Sequence, residues 1–266
     1  MAQPRTLVVV GPGRAGGSVA LAAQEAGYRL AGVVPGPSGR VPFPAPSIRV
    51  DQPIPDCDLL VVAVRDDQIR PVAERLGSRI GRVGMAVHLS GSRPISDLAS
   101  LGVPHGSFHP LQTLPDPVRG ARSLAGAWAG VTGSDGDVTA ALERFAGDLG
   151  MKPFHLDDAA KPAYHAAAAA GSNFVVAALG LAAALFRTAG LDFEVLAPLT
   201  RTVVDNVFEL GPEAALTGPV ARGDWGTVAA QVAAADRAGV GDQFRLLVRV
   251  TAGLAGLTAE AEAVLG

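Results

Sequence analysis

Short apolar runs, each closed by glycine or polar residues, alternate with helical periodicity as far as residue 155, and beyond that the pattern is helical. The runs at 6–10, 29–34, 58–64 and 84–89 are continuous rather than alternating, as parallel strands covered on both faces should be. A fifth at 106–109 is expected to close the main parallel sheet, and 47–50, in the Pro-rich stretch 41–55, reads as a short strand. Residues 128–132 and 152–155 read as further strands, and 68–76 and 138–149 as helices. From 157 onward, long helices are expected at 158–189, 193–210, 225–238 and 242–265, punctuated by Gly190, Gly211 and Gly239. The pattern predicts an α/β domain at 1–156 followed by an all-helical domain at 157–266, with a cleft between them as the natural ligand site.

The first strand runs into Gly11-Pro12-Gly13-Arg14-Ala15-Gly16 and then a helix. This G-x-G-x-x-G in a strand–turn–helix setting is the fingerprint of a dinucleotide site in a Rossmann fold. The first glycine allows the tight turn, the second admits a pyrophosphate to the backbone, and the third lets helix and strand pack closely. The anion would rest on free N–H groups at the positive end of the helix dipole. At the end of the second strand, where an NAD site places a carboxylate, the chain has Pro35-Gly36-Pro37-Ser38-Gly39-Arg40. Ser38 and Arg40, with Arg14, suit a 2′-phosphate, so NADP is expected over NAD. Val64 and Arg65, at the carboxyl end of the 58–64 strand, complete the expected cofactor contacts.

Composition removes several classes. A net charge of −3 gives no electrostatic reason to expect nucleic acid. The one cysteine, Cys57, excludes an internal disulfide framework, and the first strand begins too near Met1 for a signal peptide, so a cytoplasmic location is expected. The segment 166–186 is uncharged and long enough to span a bilayer, but it is mostly alanine, contains Gly171-Ser172-Asn173 and lacks aromatic anchors at both ends. It reads instead as the buried centre of a helical domain or as a subunit interface. His88, His105 and His109 come with no metal-binding motif, and no metal is expected.

With 20 arginines and only two lysines, Lys152 and Lys161, a retained lysine points to a task that arginine cannot do, such as exchanging a proton. Lys161, His165 and Ser172 share one helix face, with Asn173 a residue step away. Lys161, His165 and Asn173 are the candidate catalytic residues, against the alternative that Lys161 pairs with Asp157 on the surface. His109, Ser172 and Arg222 are the candidate substrate contacts, and Asp224 is placed to cap the helix at Trp225.

The turn 11–16, SFHPLQTL at 107–114, KPAYHAAAAAGSN at 161–173 and LGPEAALTGPVARGD at 210–224 together resemble the bacterial Rossmann-like DUF2520 proteins. That family is similar to the 6-phosphogluconate dehydrogenase C-terminal-domain-like superfamily, with its 3-hydroxyacid dehydrogenases, ketopantoate reductases, pyrroline-5-carboxylate reductases and prephenate dehydrogenases. The resemblance implies NADP-dependent hydride transfer and a helical domain that builds a homodimer. It also implies that Lys161 and Asn173 handle the reacting carbonyl, although their spacing is wider than in those relatives and His165 falls where their asparagine stands. The His109-Pro110 pair resembles an element of prephenate dehydrogenases.

The expectation is therefore an NADP-dependent reductase of a small 2-oxo or imino acid, with ketopantoate the substrate that the superfamily resemblance implies. A non-catalytic NADP(H) sensor and a homodimer that binds no nucleotide are the alternatives.

Overall fold

The computed structural model describes residues 5–49, 51–77 and 79–265. Contacts divide the chain into two compact units, Met1–Ala169 and Ala170–Gly266. The first contains β1 (Thr6–Val10), α1 (Arg14–Glu25), β2 (Arg29–Val34), β3 (Cys57–Val62), α2 (Ile69–Leu76), β4 (Val83–His88) and β5 (His105–Leu111). It continues with α3 (Pro117–Leu124), β6 (Trp128–Gly133), α4 (Gly136–Asp148), β7 (Lys152–His155) and α5 (Lys161–Ala169). Of the expected strand at 47–50, Ser47 makes a single bridge to Val33, and Val50 lies outside the described residues.

The strands form one sheet in the order β2-β1-β3-β4-β5-β6-β7. Its direction of winding reverses between β1 and β3, and in open α/β sheets a crevice forms at such a reversal, beyond the carboxyl ends of the strands. Alternate residues of β1 enter opposite cores. Leu7 and Val9 pack with Val19, Leu124 and Phe145 from α1, α3 and α4, whereas Val8 and Val10 pack with Ile69 and Val72 from α2. Each such buried side chain contributes roughly 1.5–3 kcal/mol, which is why the continuous apolar runs take the middle of the sheet.

The fifth strand is the last of the parallel run, as expected, and two further strands extend the sheet beyond it. β6 returns antiparallel to β5 with Trp128 opposite Leu111, and β7 follows parallel to β6. The intervening α3, capped by Asp116 with Pro117 in its first turn, brings the chain back to the carboxyl end of β5, so β6 must run the other way. The sheet ends at His155, near the 156/157 boundary read from the sequence, while α5 packs with the sheet in the first unit.

The second unit begins with a π-helical turn, Ala170–Phe174, that leads into α6 (Val175–Thr188). Then come α7 (Ala197–Leu210), α8 (Pro212–Ala215), α9 (Trp225–Arg237), α10 (Gly241–Leu254) and α11 (Thr258–Leu265). The single helix expected at 242–265 is two, because Gly256 takes φ +71° and ends α10. Val220, Val228, Val232, Val248 and Ala252 form this unit's core. By contrast α6 and α7 have no fully buried residue, and Val176 and Phe208 are 70% and 88% exposed. Asp158–Thr188 is long and apolar enough to cross a membrane, and none of its most apolar window is buried within the chain. The reading of 166–186 as a buried helix therefore fails.

Candidate active site

The glycine turn has the three properties that its spacing predicts. Gly11 adopts φ +88°, and a Cβ there would meet the Ala63 carbonyl oxygen at 2.5 Å. A Cβ on Gly16 would fall against the Gly11 carbonyl and the Ala63 side chain, so α1 can approach β1 and β3 only with glycine here. Gly13 differs: nothing lies within 4 Å of its Cβ position, and it is exposed. It caps α1 in extended backbone with no side-chain cap and no acidic residue in the first turn. An uncapped helix start beside open space, with glycine at the point of approach, fits a pyrophosphate. Pro12 is buried, Ala15 half-buried and Arg14 exposed around this opening.

Val64 touches the Gly11 position, with its Cγ1 at 3.2 Å from a Cβ there. Arg65 extends into solvent and pairs with Asp67 at 3.2 Å. Beyond β2, residues 36–40 are all exposed, and the Arg40 N–H donates to Ser38 Oγ at 3.4 Å. This exposed serine–arginine loop, with no carboxylate in it, has the donors that a 2′-phosphate requires.

A second cluster lies at the carboxyl ends of β3, β4 and β5. Asp66, just after β3, accepts hydrogen bonds from Ser90 Oγ at 2.8 Å and Ser92 Oγ at 2.6 Å. Ser90 Oγ in turn accepts from the backbone N–H of Ser92 and Arg93, which fixes the turn after β4. His88 is wholly buried, its Nδ1 accepting from the Ser90 N–H and its Nε2 facing the Pro94 carbonyl. Burial, reinforced by the charge on Lys161, pushes its pKa down to about 4. Asp97 is buried between Arg70 and Arg93. Burial alone would raise its pKa, but the two guanidiniums outweigh that and hold the carboxyl below the usual range.

Lys161 is also wholly buried. Its ammonium donates to Ser107 Oγ at 2.8 Å and the Arg93 carbonyl at 2.9 Å, and pairs with Asp158 at 2.7 Å. Asp158 also accepts from the Ile95 N–H. An ammonium has three N–H donors, and all three are engaged. Burial lowers the lysine pKa, while the Asp158 carboxylate pulls it back up. With its donors so placed, this group ties α5 to β5 and the turn after β4. Its partner is Asp158, not the Asp157 considered in the sequence, because a 3-10 turn over Asp158–Ala160 precedes α5.

His109 and His165 come together, with ring centroids 6.0 Å apart. Tyr164 joins them: its hydroxyl lies 2.7 Å from His109 Nδ1, and its ring packs edge-on against Phe154 of β7. Burial pushes His109 down to about 4, aided by His165 and opposed by Asp66, and pushes the Tyr164 phenol up to about 12. Tyr164, Asp66, Ser90 and Ser92 escape the sequence reading. The one available signal is their position at strand ends or between Lys161 and His165. The remaining candidates belong to the second unit. Ser172 and Asn173 occupy the π-helical turn, Asn173 exposed, and Arg222 is exposed in the loop before α9, where Asp224 caps the helix as expected. Among the described residues no cluster of His, Cys, Asp and Glu could hold a metal.

The family model described as a domain of unknown function, DUF2520, matches residues 127–251. No curated protein matches the chain. Among solved structures, a Bacteroides fragilis protein provisionally named an NADP oxidoreductase is 23% identical, with a TM-score of 0.82 over 94% of this chain and 98% of its own. A reductive aminase from Aspergillus terreus in complex with NADPH and ethyl levulinate is 17% identical, with a TM-score of 0.66 over 98% and 94%. Pyrroline carboxylate reductase from Plasmodium falciparum with NADP bound is 13% identical, with a TM-score of 0.60 over the full length of both chains. At these identities the likeness is one of fold. Residues 127–251 thus match the DUF2520 model, and the chain has the fold of these proteins, a mostly parallel sheet followed by a helical unit.

Proposed function

We propose that this protein is an NADP-dependent oxidoreductase that reduces a small 2-oxo or imino acid. The observation that carries the reading is Gly13, whose open side adjoins the uncapped start of α1 at the reversal between β1 and β3. The turn 11–16 and Val64 hold the pyrophosphate end of the cofactor, and Ser38, Arg40 and Arg14 hold its 2′-phosphate. Solved proteins of this fold that bear NADP or NADPH support that choice. NADPH, when bound, supplies a hydride for the carbonyl or imine carbon.

The chain's own groups receive and position the substrate. His109 hydrogen-bonds the carbonyl oxygen or imine nitrogen, and His165 delivers the proton that this atom takes up on reduction. Lys161 acts one step back, fixing the strand ends from which His109 projects. Ser172, Asn173 and Arg222 are proposed as further substrate contacts. A second copy of the chain covers the apolar faces of α6 and α7 in a cytoplasmic homodimer.

The occupied donors of Lys161 favour one other reading, a protein that senses NADP(H) without turnover. A panel of 2-oxo and imino acids with NADPH, ketopantoate included, separates the two. NADPH consumption that falls roughly 10²–10³-fold in His109→Leu, which removes the donor, supports the enzyme. Tight NADPH binding with no turnover on any member supports the sensor.

A further inference from the structure

The His109 ring is fixed from two directions. Gly91 lies so close to it that a Cβ there would sit 2.8–2.9 Å from three ring atoms. On the other side, Nδ1 is 2.7 Å from the Tyr164 hydroxyl, with the rings at 90°. Among the described residues neither the hydroxyl nor the ring has another hydrogen-bond partner. The charged and titratable groups that act on the ring are His165 and Lys161 of α5 and Asp66 after β3.

Two proton arrangements fit an O–N pair. Either the phenol donates to Nδ1, or an Nδ1–H donates to the phenol oxygen. The second leaves the half-buried phenol O–H without an acceptor and uses the weaker basic atom of the two. A separation of 2.7 Å also suits an O–H donor better than a ring N–H. We infer that Tyr164 is a positioning residue that holds His109 in the Nε2–H tautomer, so that the ring offers substrate a hydrogen-bond donor at Nε2 and not a lone pair. The inference builds on the reading of His109 as a substrate contact. It also gives that reading a chemical direction: the site favours a substrate with an acceptor atom, a carbonyl or a neutral imine, over one that must lose a proton to the ring.

Long-range proton–nitrogen NMR of the histidine rings, without cofactor or substrate, tests this. His109→Gln identifies the His109 signals by their loss. In the wild type the proton should sit on Nε2 alone. In Tyr164→Phe the signals should move toward a mixture of the two tautomers, and His109 should protonate at a higher pH, because the bond that favoured the neutral ring is gone. Tyr164→Leu serves should the phenylalanine variant not fold. An Nδ1–H tautomer in the wild type, or signals unchanged in the Tyr164 variants, overturns the inference. Because the spectra need no turnover, that failure would leave the redox reading standing, and a chain that binds no NADPH would fail the redox reading alone.

Discussion

Lys161 Nζ lies 2.8 Å from Ser107 Oγ, a buried bond between α5 and β5. Together with the Asp158 pair it makes the lysine a staple. Lys161→Ala should lower the unfolding free energy by about 1–3 kcal/mol, since it removes charge-assisted hydrogen bonds to Asp158, Ser107 and the Arg93 carbonyl. Urea denaturation reads this directly. A variant of unchanged stability that had lost turnover would return Lys161 to direct catalysis.

Arg40 has no carboxylate partner among the described residues and shares its exposed loop with Ser38. Arg40→Ala should weaken NADPH binding roughly tenfold, about 1.4 kcal/mol, and leave NADH binding unchanged. Equal losses for both cofactors would place the 2′-phosphate elsewhere.

Acid should destabilise the first unit through its buried histidines. His88 and His109 fall from 6.5 to about 4 on folding. Between those values the native state binds fewer protons than the unfolded chain, so stability is full above pH 6.5 and declines as the pH drops toward 4. Each histidine accounts for a loss of about 2 kcal/mol by pH 5. Urea midpoints at pH 7 and pH 5 should differ accordingly, and by less in His109→Gln. A flat profile would mean that both rings stay accessible to protons.

Phe208 is 88% exposed on α7, a helix with no buried residue. In a homodimer built on this face, Phe208→Asp should shift the mass measured by light scattering from two chains to one. A wild-type monomer would leave the face for some other partner.

Much of the frame was legible in the sequence. The continuous apolar runs gave the parallel strands, because strands covered on both faces have no polar side to alternate with. The glycine turn announced itself because backbone geometry there admits little else. The scarcity of lysine marked Lys161 as special, but its role depends on Ser107 and the Arg93 carbonyl, which are remote in sequence and adjacent only in the fold. Tyr164 is not legible for the same reason, since its partner His109 lies in another element. The missed helix α3 has only eight residues, and the break at Gly256 sits inside an otherwise unbroken helical pattern.

The central claim is that the open side of Gly13 receives a dinucleotide pyrophosphate. A fluorescence titration of NADPH into the wild type and Gly13→Glu tests it most directly. A Cβ at this position has no protein atom within 4 Å and Gly13 has φ −73°, so the variant should fold and melt like the wild type. The account predicts saturable binding to the wild type and none to the variant, whose carboxylate would occupy the anion's place. Equal binding by both proteins, or none by the wild type at millimolar cofactor, would contradict it.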